Sequence, residues 1–303
     1  MKTTCPKICL VALAIASLTA CGGGGGISAT ATPFTAWTAV AAGSTIVALG
    51  DSQGGTYTWN GVTDKITSTT VGAQQSGATF TESFSASTGL VQTVRFQTVS
   101  GTDITFTRGY DTFGYLGINS SFWAIVSADS TRYAIMADPV PTGWNYQSFG
   151  IWTTGAGAGS GTYGAASVGA PTPAGSIPTS GSANYSGYQV GRSVASDGSY
   201  YFTTAAMQTT TNFATRRLSF TTYGTLQTPD LVSSTMNNNL NLSGTLSYTS
   251  GSNQFSGAVS TVGGMTGTAT GRFYGPAAQE IGGTFSVTGS GLQAFGGAFG
   301  GKR

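Results

Sequence analysis

From residue 240 onward the chain repeats every two residues. Leu240, Leu242, Leu246 and Tyr248 share one face with Gly244, while Asn241, Ser243, Thr245, Ser247 and Thr249 share the other. The pattern returns as Met265, Gly267, Ala269, Gly271 and Phe273 against Thr266, Thr268, Thr270, Arg272 and Tyr274. It returns again as Phe285 and Val287 against Thr284, Ser286 and Thr288. Neighbouring side chains on a strand point to opposite faces, so this period describes strands with one apolar and one polar side. Small residues mixed with large ones on the apolar side suit the tapered interior of a barrel. Closing such a sheet also removes the edge strands that invite aggregation.

Periodicity alone does not say which face is inside, because a transmembrane barrel alternates with its apolar side outward. Two features favour a barrel in water. A lipid-anchored N-terminus, argued below, would be redundant on a protein already embedded in the bilayer. The last strand also closes on the charged pair Lys302-Arg303.

Residues 33–153 alternate short apolar strands with Gly, Ser, Asp and Asn turns. Val94 and Phe96 oppose Arg95 and Gln97, and Ile104 and Phe106 oppose Thr105 and Thr107. No helical stripe exceeds two turns. This half holds Trp37, Trp59, Trp123, Trp144 and Trp152, together with Tyr110, Tyr115, Tyr133 and Tyr146. Aromatics this dense make a core, or else a partner-binding face, where Trp and Tyr are also enriched. Residues 155–181 are rich in Gly, Ala, Ser and Pro and read as a linker or long loop. The chain is therefore expected to be all-β: a β-rich domain over 33–175 ending in that linker, then an eight-stranded antiparallel barrel over 176–303.

The N-terminus addresses the chain to a membrane. Lys2 and Lys7 precede the apolar run Cys9–Leu18, and Leu18-Thr19-Ala20-Cys21 closes it. This is a secretory leader over 1–20 ending in a lipobox, with Cys21 as the lipid attachment site. The run is too short to span a bilayer, which takes about 20 residues. Gly22–Gly26 opens a tether over 21–32, and ~11 such residues span roughly 18 Å as a flexible coil. Several acyl chains of the palmitate type on Cys21 would give stable anchoring, since one chain is marginal.

Composition excludes several functions. Once Lys2 and Lys7 leave with the leader, ten basic side chains face ten acidic ones, so no basic footprint points to nucleic acid. The chain has no histidine, which removes Ser-His-Asp and Cys-His catalysis and every His-ligated metal or haem. Cys5 and Cys9 also leave with the leader, so no disulfide is expected and no cofactor or metal is assigned.

The segment Gly271-Arg272-Phe273-Tyr274-Gly275-Pro276-Ala277-Ala278-Gln279-Glu280-Ile281-Gly282-Gly283-Thr284-Phe285 resembles the penultimate hairpin of the transferrin-binding protein B barrel. Phe299-Gly300-Gly301-Lys302-Arg303 is similar to that family's closing strand, usually Phe-Gly-Ala-Lys-Arg, with Gly301 in place of the alanine. Pro178–Tyr188 resembles its first barrel strand, and Trp144–Trp152 carries a weaker likeness in the preceding domain. Locally, Gly275-Pro276 breaks a strand, and Pro276 suits the first turn of a short helix running to Glu280. Gly282-Gly283 permits tight re-entry into the next strand, and Glu280 caps or salt-bridges within the turn.

The resemblance implies a lobe made of an N-terminal β "handle" and a C-terminal barrel, one lobe where the full family protein has two. It implies an outer-membrane lipoprotein displayed on the cell surface, in some members through a Slam-type translocator. The leading function is then a non-enzymatic binder of a host or environmental protein, or of an iron- or haem-bearing solute. Loops of the handle and of one barrel end would make the contact, with cargo passed to a TonB-dependent receptor. The alternative is a structural coat or adhesin lipoprotein without cargo. A hydrolase using paired carboxylates finds no motif among the ten scattered acidic residues.

Overall fold

The computed structural model describes residues 36–303. The leader, the lipobox with Cys21 and the whole tether lie outside the described residues.

Two antiparallel sheets account for the strands of the described residues. The first comprises β1 (Thr45–Asn60), β2 (Lys65–Thr69), β3 (Gln75–Phe84), β4 (Val91–Gln97), β5 (Asp103–Thr107), β6 (Thr112–Leu116), β7 (Asn119–Val126), β8 (Arg132–Ala137), β9 (Gln147–Thr154) and β10 (Ser160–Gly169). Its order is β5-β4-β3-β1-β10-β9-β8-β7-β6, with β2 branching from β1. The sheet curls until its two ends, β5 and β6, face each other across the short connection 108–111, bridged by Arg108 and Asp111. Inside the curl, Phe80, Val94, Ile104 and Phe106 from one half pack with Ile125, Met136 and Trp152 from the other.

The second sheet comprises β11 (Ser182–Val194), β12 (Tyr200–Asn212), β13 (Arg217–Thr228), β14 (Thr235–Met236), β15 (Leu242–Ser247), β16 (Gln254–Thr261), β17 (Thr266–Tyr274), β18 (Glu280–Thr288) and β19 (Ala294–Lys302). Pairing of β12 with β13 closes the ring β12-β11-β19-β18-β17-β16-β15-β13, an eight-stranded barrel with β14 as a short flap on β13. The apolar face read from residues 240–288 is the inner one. Leu240, Leu242, Leu246, Tyr248, Met265, Ala269, Phe273, Phe285 and Val287 all lie in one buried cluster with Phe220, Phe255, Phe295 and Phe299. Rings meet at tilted and edge-to-face angles, as for Phe220 with Phe299 at 4.7 Å and Phe285 with Phe295 at 4.8 Å, geometries that aromatic quadrupoles favour.

Three local expectations are corrected. The Gly/Ala/Ser-rich segment from 155 is not a linker throughout, because Ser160–Gly169 forms β10, paired with both β1 and β9 in the middle of the first sheet. Its small residues serve close packing: a side chain at Gly164 would meet the Trp152 ring. Only residues 170–181 connect the sheets. Pro276 starts no helix; residues 275–278 form a turn in which Gly275 (φ 84°) and Ala278 (φ 56°) take left-handed conformations. Third, the polar side of β18 does not face water uniformly, since Thr284 is 2% exposed.

That third difference arises because the first domain sits on the outside of β18 and β19. Leu116, Phe122, Trp144, Phe149, Ile151 and Ala165 of the handle form one buried cluster with Val190, Phe202 and Ala298 of the barrel. Glycines on the barrel's outer wall admit this contact. A Cβ on Gly282 would lie 2.5 Å from Gln147 Oε1 and Ser167 Oγ, and one on Gly300 2.5 Å from the Phe149 ring. Polar groups then fix the orientation. Tyr274 Oη and Ser167 Oγ are 3.0 Å apart, and Thr172 Oγ1 donates to Gly275 O at 2.6 Å.

Candidate functional site: the handle seam and the domain junction

The seam where β5 meets β6 is held by two charged side chains. Asp111 accepts from the backbone N–H of Thr107 at 2.7 Å and of Ala128 at 3.0 Å. Arg108 Nε donates to Val91 O at 2.7 Å, and its guanidinium carbon lies 4.7 Å from the Phe113 ring centre and 5.8 Å from that of Trp123. Each such contact stabilises by about 0.5–2 kcal/mol. The 108–111 connection thus rests on a rigid base, and it presents Tyr110, which is 84% exposed. Leu90, 55% exposed, precedes the Val91 that Arg108 holds. Tyr115, on edge strand β6, is 59% exposed and donates to Asp138 Oδ2 at 3.2 Å. Burial raises the Asp138 carboxyl above the usual range, while the Val140 N–H and the Trp123 and Tyr115 side chains pull it down. β5 and β6 also keep one unpaired backbone edge each.

The five tryptophans divide between packing and support. Trp37, Trp144 and Trp152 are buried. Trp37 Nε1 donates to Glu82 Oε2 at 3.0 Å, within a core that raises the Glu82 carboxyl to about 8, mainly through burial. Trp59 and Trp123 are half-buried, and Trp59 Nε1 donates to Asp64 Oδ1 at 3.0 Å. The aromatics of this domain are therefore mostly core, with Tyr110 and Tyr115 as the exposed remainder. Glu280 works across domains rather than within its own turn. Its carboxylate accepts from Asn145 N at 2.6 Å and Tyr146 N at 3.0 Å. Burial raises it to about 7 despite those hydrogen bonds. No group of three or more Cys, Asp or Glu side chains is placed to hold a metal ion among the described residues.

A curled handle sheet docked on a closed eight-stranded barrel, with its polar contacts at the junction and its exposed aromatics at the seam, defines a two-domain all-β lobe. Residues 177–303 match the family model of the C-lobe and N-lobe beta barrels of Tf-binding protein B. The C-terminal domain is thus similar to the barrels of that family, and a second β domain precedes it in the chain. Among solved structures, the chain is similar to a transferrin-binding protein B double mutant from Haemophilus parasuis (TM-score 0.44, 11% identity, 84% of this chain and 76% of that one). It is also similar to the haemoglobin receptor HpuA from Kingella denitrificans (TM-score 0.44, 21% identity, 75% and 82%). Transferrin-binding protein B from Neisseria meningitidis matches with TM-score 0.42 and 17% identity, over 76% of this chain and 53% of that one. No curated protein sequence matches the chain.

Proposed function

We propose that this is a non-catalytic binding protein, anchored through lipidated Cys21 to the outer membrane and displayed on the cell surface. It captures a host or environmental protein that carries iron or haem. The reading rests on the family match over 177–303, whose description names a transferrin-binding barrel. The handle supplies the contact surface. Tyr110 and Leu90 stand out from the seam on a base held by Arg108 and Asp111. Rigid, amphipathic rings of this kind dominate binding energy at protein interfaces, and a nearly neutral chain offers little long-range steering to replace them. A TonB-dependent receptor is the natural recipient of cargo, and a Slam-type translocator the route to the surface.

Surface plasmon resonance with the full chain against transferrins, haemoglobin, haem and serum proteins tests this. Saturable binding to one of them, weakened at least tenfold by Tyr110→Ala, is expected. No saturable binding to any would overturn it. Anchoring is tested separately: globomycin leaves an uncleaved precursor and Cys21→Ala an uncleaved and unlipidated one, whereas unchanged processing would remove the lipid anchor.

A further inference from the structure

At the domain junction, on the far side from Glu280, a buried cation lies beside a cavity. Tyr57, Trp59 and Tyr133 of the handle face Arg192, Tyr200 and Phe202 of the barrel around a space of about 220 Å3. Arg192 is 6% exposed. Its guanidinium carbon lies 4.5, 5.2 and 5.4 Å from the ring centres of Tyr57, Tyr163 and Tyr200. Its Nε and Nη1 have no hydrogen-bond partner, and no carboxylate pairs with it among the described residues. Burial lowers its pKa, and the side chains that act on it electrostatically are tyrosines alone.

Another arginine of the same junction shows what a purely architectural cation looks like here. Arg272 holds Asp51 through two hydrogen bonds, at 2.7 and 2.9 Å. Arg192 is more deeply buried than Arg272 and gains no such partner, and ring faces replace only part of its hydration. A guanidinium is built to hold carboxylates through its fork of N–H donors. The one acidic side chain of the cavity wall among the described residues, Asp230, is already engaged. Asp230 accepts from Val232 N, Ser233 N, Ser233 Oγ and Thr228 Oγ1 at 2.6–3.0 Å, and these donors keep its carboxyl well below the usual range.

We propose that this cavity binds a small aromatic carboxylate, with the carboxylate on Arg192 and the ring between Tyr133, Tyr200 and Phe202. The size agrees, since a cavity of ~150 Å3 accommodates benzene and this one leaves room for one ring and its carboxylate. The site is separate from the handle seam and does not depend on the protein-capture reading. A ligand here touches both domains at once and ties the handle to the barrel.

Calorimetric titration of the purified full chain with benzoate, and in parallel with neutral benzamide, tests the proposal. Saturable benzoate binding at least tenfold tighter than benzamide is expected, with the preference abolished by Arg192→Met and partly kept by Arg192→Lys. Equal affinity for the two compounds, or no saturable binding of benzoate, overturns it. Both results are read on the unsubstituted protein, so a misfolded variant leaves the test intact. A well-folded Arg192→Met that keeps the preference overturns it equally.

Discussion

Arg272 and Asp51, 221 residues apart, join the two domains through a two-pronged ion pair, Nε to Oδ2 at 2.7 Å and Nη2 to Oδ1 at 2.9 Å. Arg272 stands on the outer face of β17, directly opposite Gly282 of β18. The missing side chain at Gly282 lets the handle come close enough for Asp51 to reach the guanidinium. The Asp51 side chain is only 3% exposed and that of Arg272 25%, so the pair is largely out of water.

Removing one partner therefore strands a buried charge. Arg272→Met is expected to destabilise the protein by about 3 kcal/mol, and Asp51→Asn by a similar amount. The double variant should recover a large part of the loss, because no lone charge remains. Urea unfolding of all four proteins as a double-mutant cycle measures this, and strictly additive losses would refute the coupling.

Stability should fall as pH rises from about 4.5 to about 8. Glu82 and Glu280 move from 4.5 in the unfolded chain to about 8 and about 7 in the fold. Both carboxyls are raised, so the folded state holds protons that the unfolded state releases. Their contribution is complete below the unfolded value and is lost through the folded one, at up to about 1.4 kcal/mol per pH unit for each group. Glu82→Gln keeps an acceptor for Trp37 Nε1 and cannot ionise, so the decline between pH 7 and 8 should flatten. Urea midpoints across pH 5–9 for both proteins give the answer; parallel curves would exclude Glu82.

Gly300→Val should loosen the domain contact while the barrel stays folded. Its Cβ would press on the Phe149 ring at 2.5 Å from outside the barrel wall, and overpacking of this kind costs about 1–3 kcal/mol. Hydrogen exchange is expected to rise in β9 and β10 while β15–β17 remain protected. Uniform loss of protection would show that barrel and handle unfold as one unit.

Inside the barrel, Phe273→Ala should be far more damaging than a change on the polar wall. Phe273 is fully buried and meets the rings of Tyr248, Phe255 and Phe213 at 5.2, 5.3 and 6.1 Å. A loss of about 3–5 kcal/mol is expected, against roughly 0.5 kcal/mol or less for an exposed change such as Thr268→Ser. Chemical denaturation of the two variants separates the cases.

The barrel was legible because its residues repeat at the strand period over long stretches, and one register carries nearly every Phe and Leu. The handle was legible as β but not in its middle. β10 is built from Gly161, Gly164, Ala165, Ala166 and Gly169, and composition cannot distinguish small residues that permit close packing from small residues that permit freedom. Glu280 was readable as structural, but its partners Asn145 and Tyr146 lie 135 and 134 residues away, beyond any local pattern. Periodicity likewise separates the two faces of β18 without saying that the handle covers one of them. Arg192 gave a faint signal, a lone charge inside Tyr188-Gln189-Val190-Gly191-Arg192-Ser193-Val194 in a chain with few charges. Its surroundings depend on three tyrosines, two of which belong to the other domain.

β19 follows every other barrel strand along the chain, yet it fills the gap between β11 and β18 and presents Ala298 and Gly300 to the handle. Until it arrives, the cylinder stays open and the other domain has no finished wall to dock against. Closure of the cylinder and completion of the docking wall therefore depend on one and the same strand, so the two domains reach their native arrangement together only once β19 is paired on both sides.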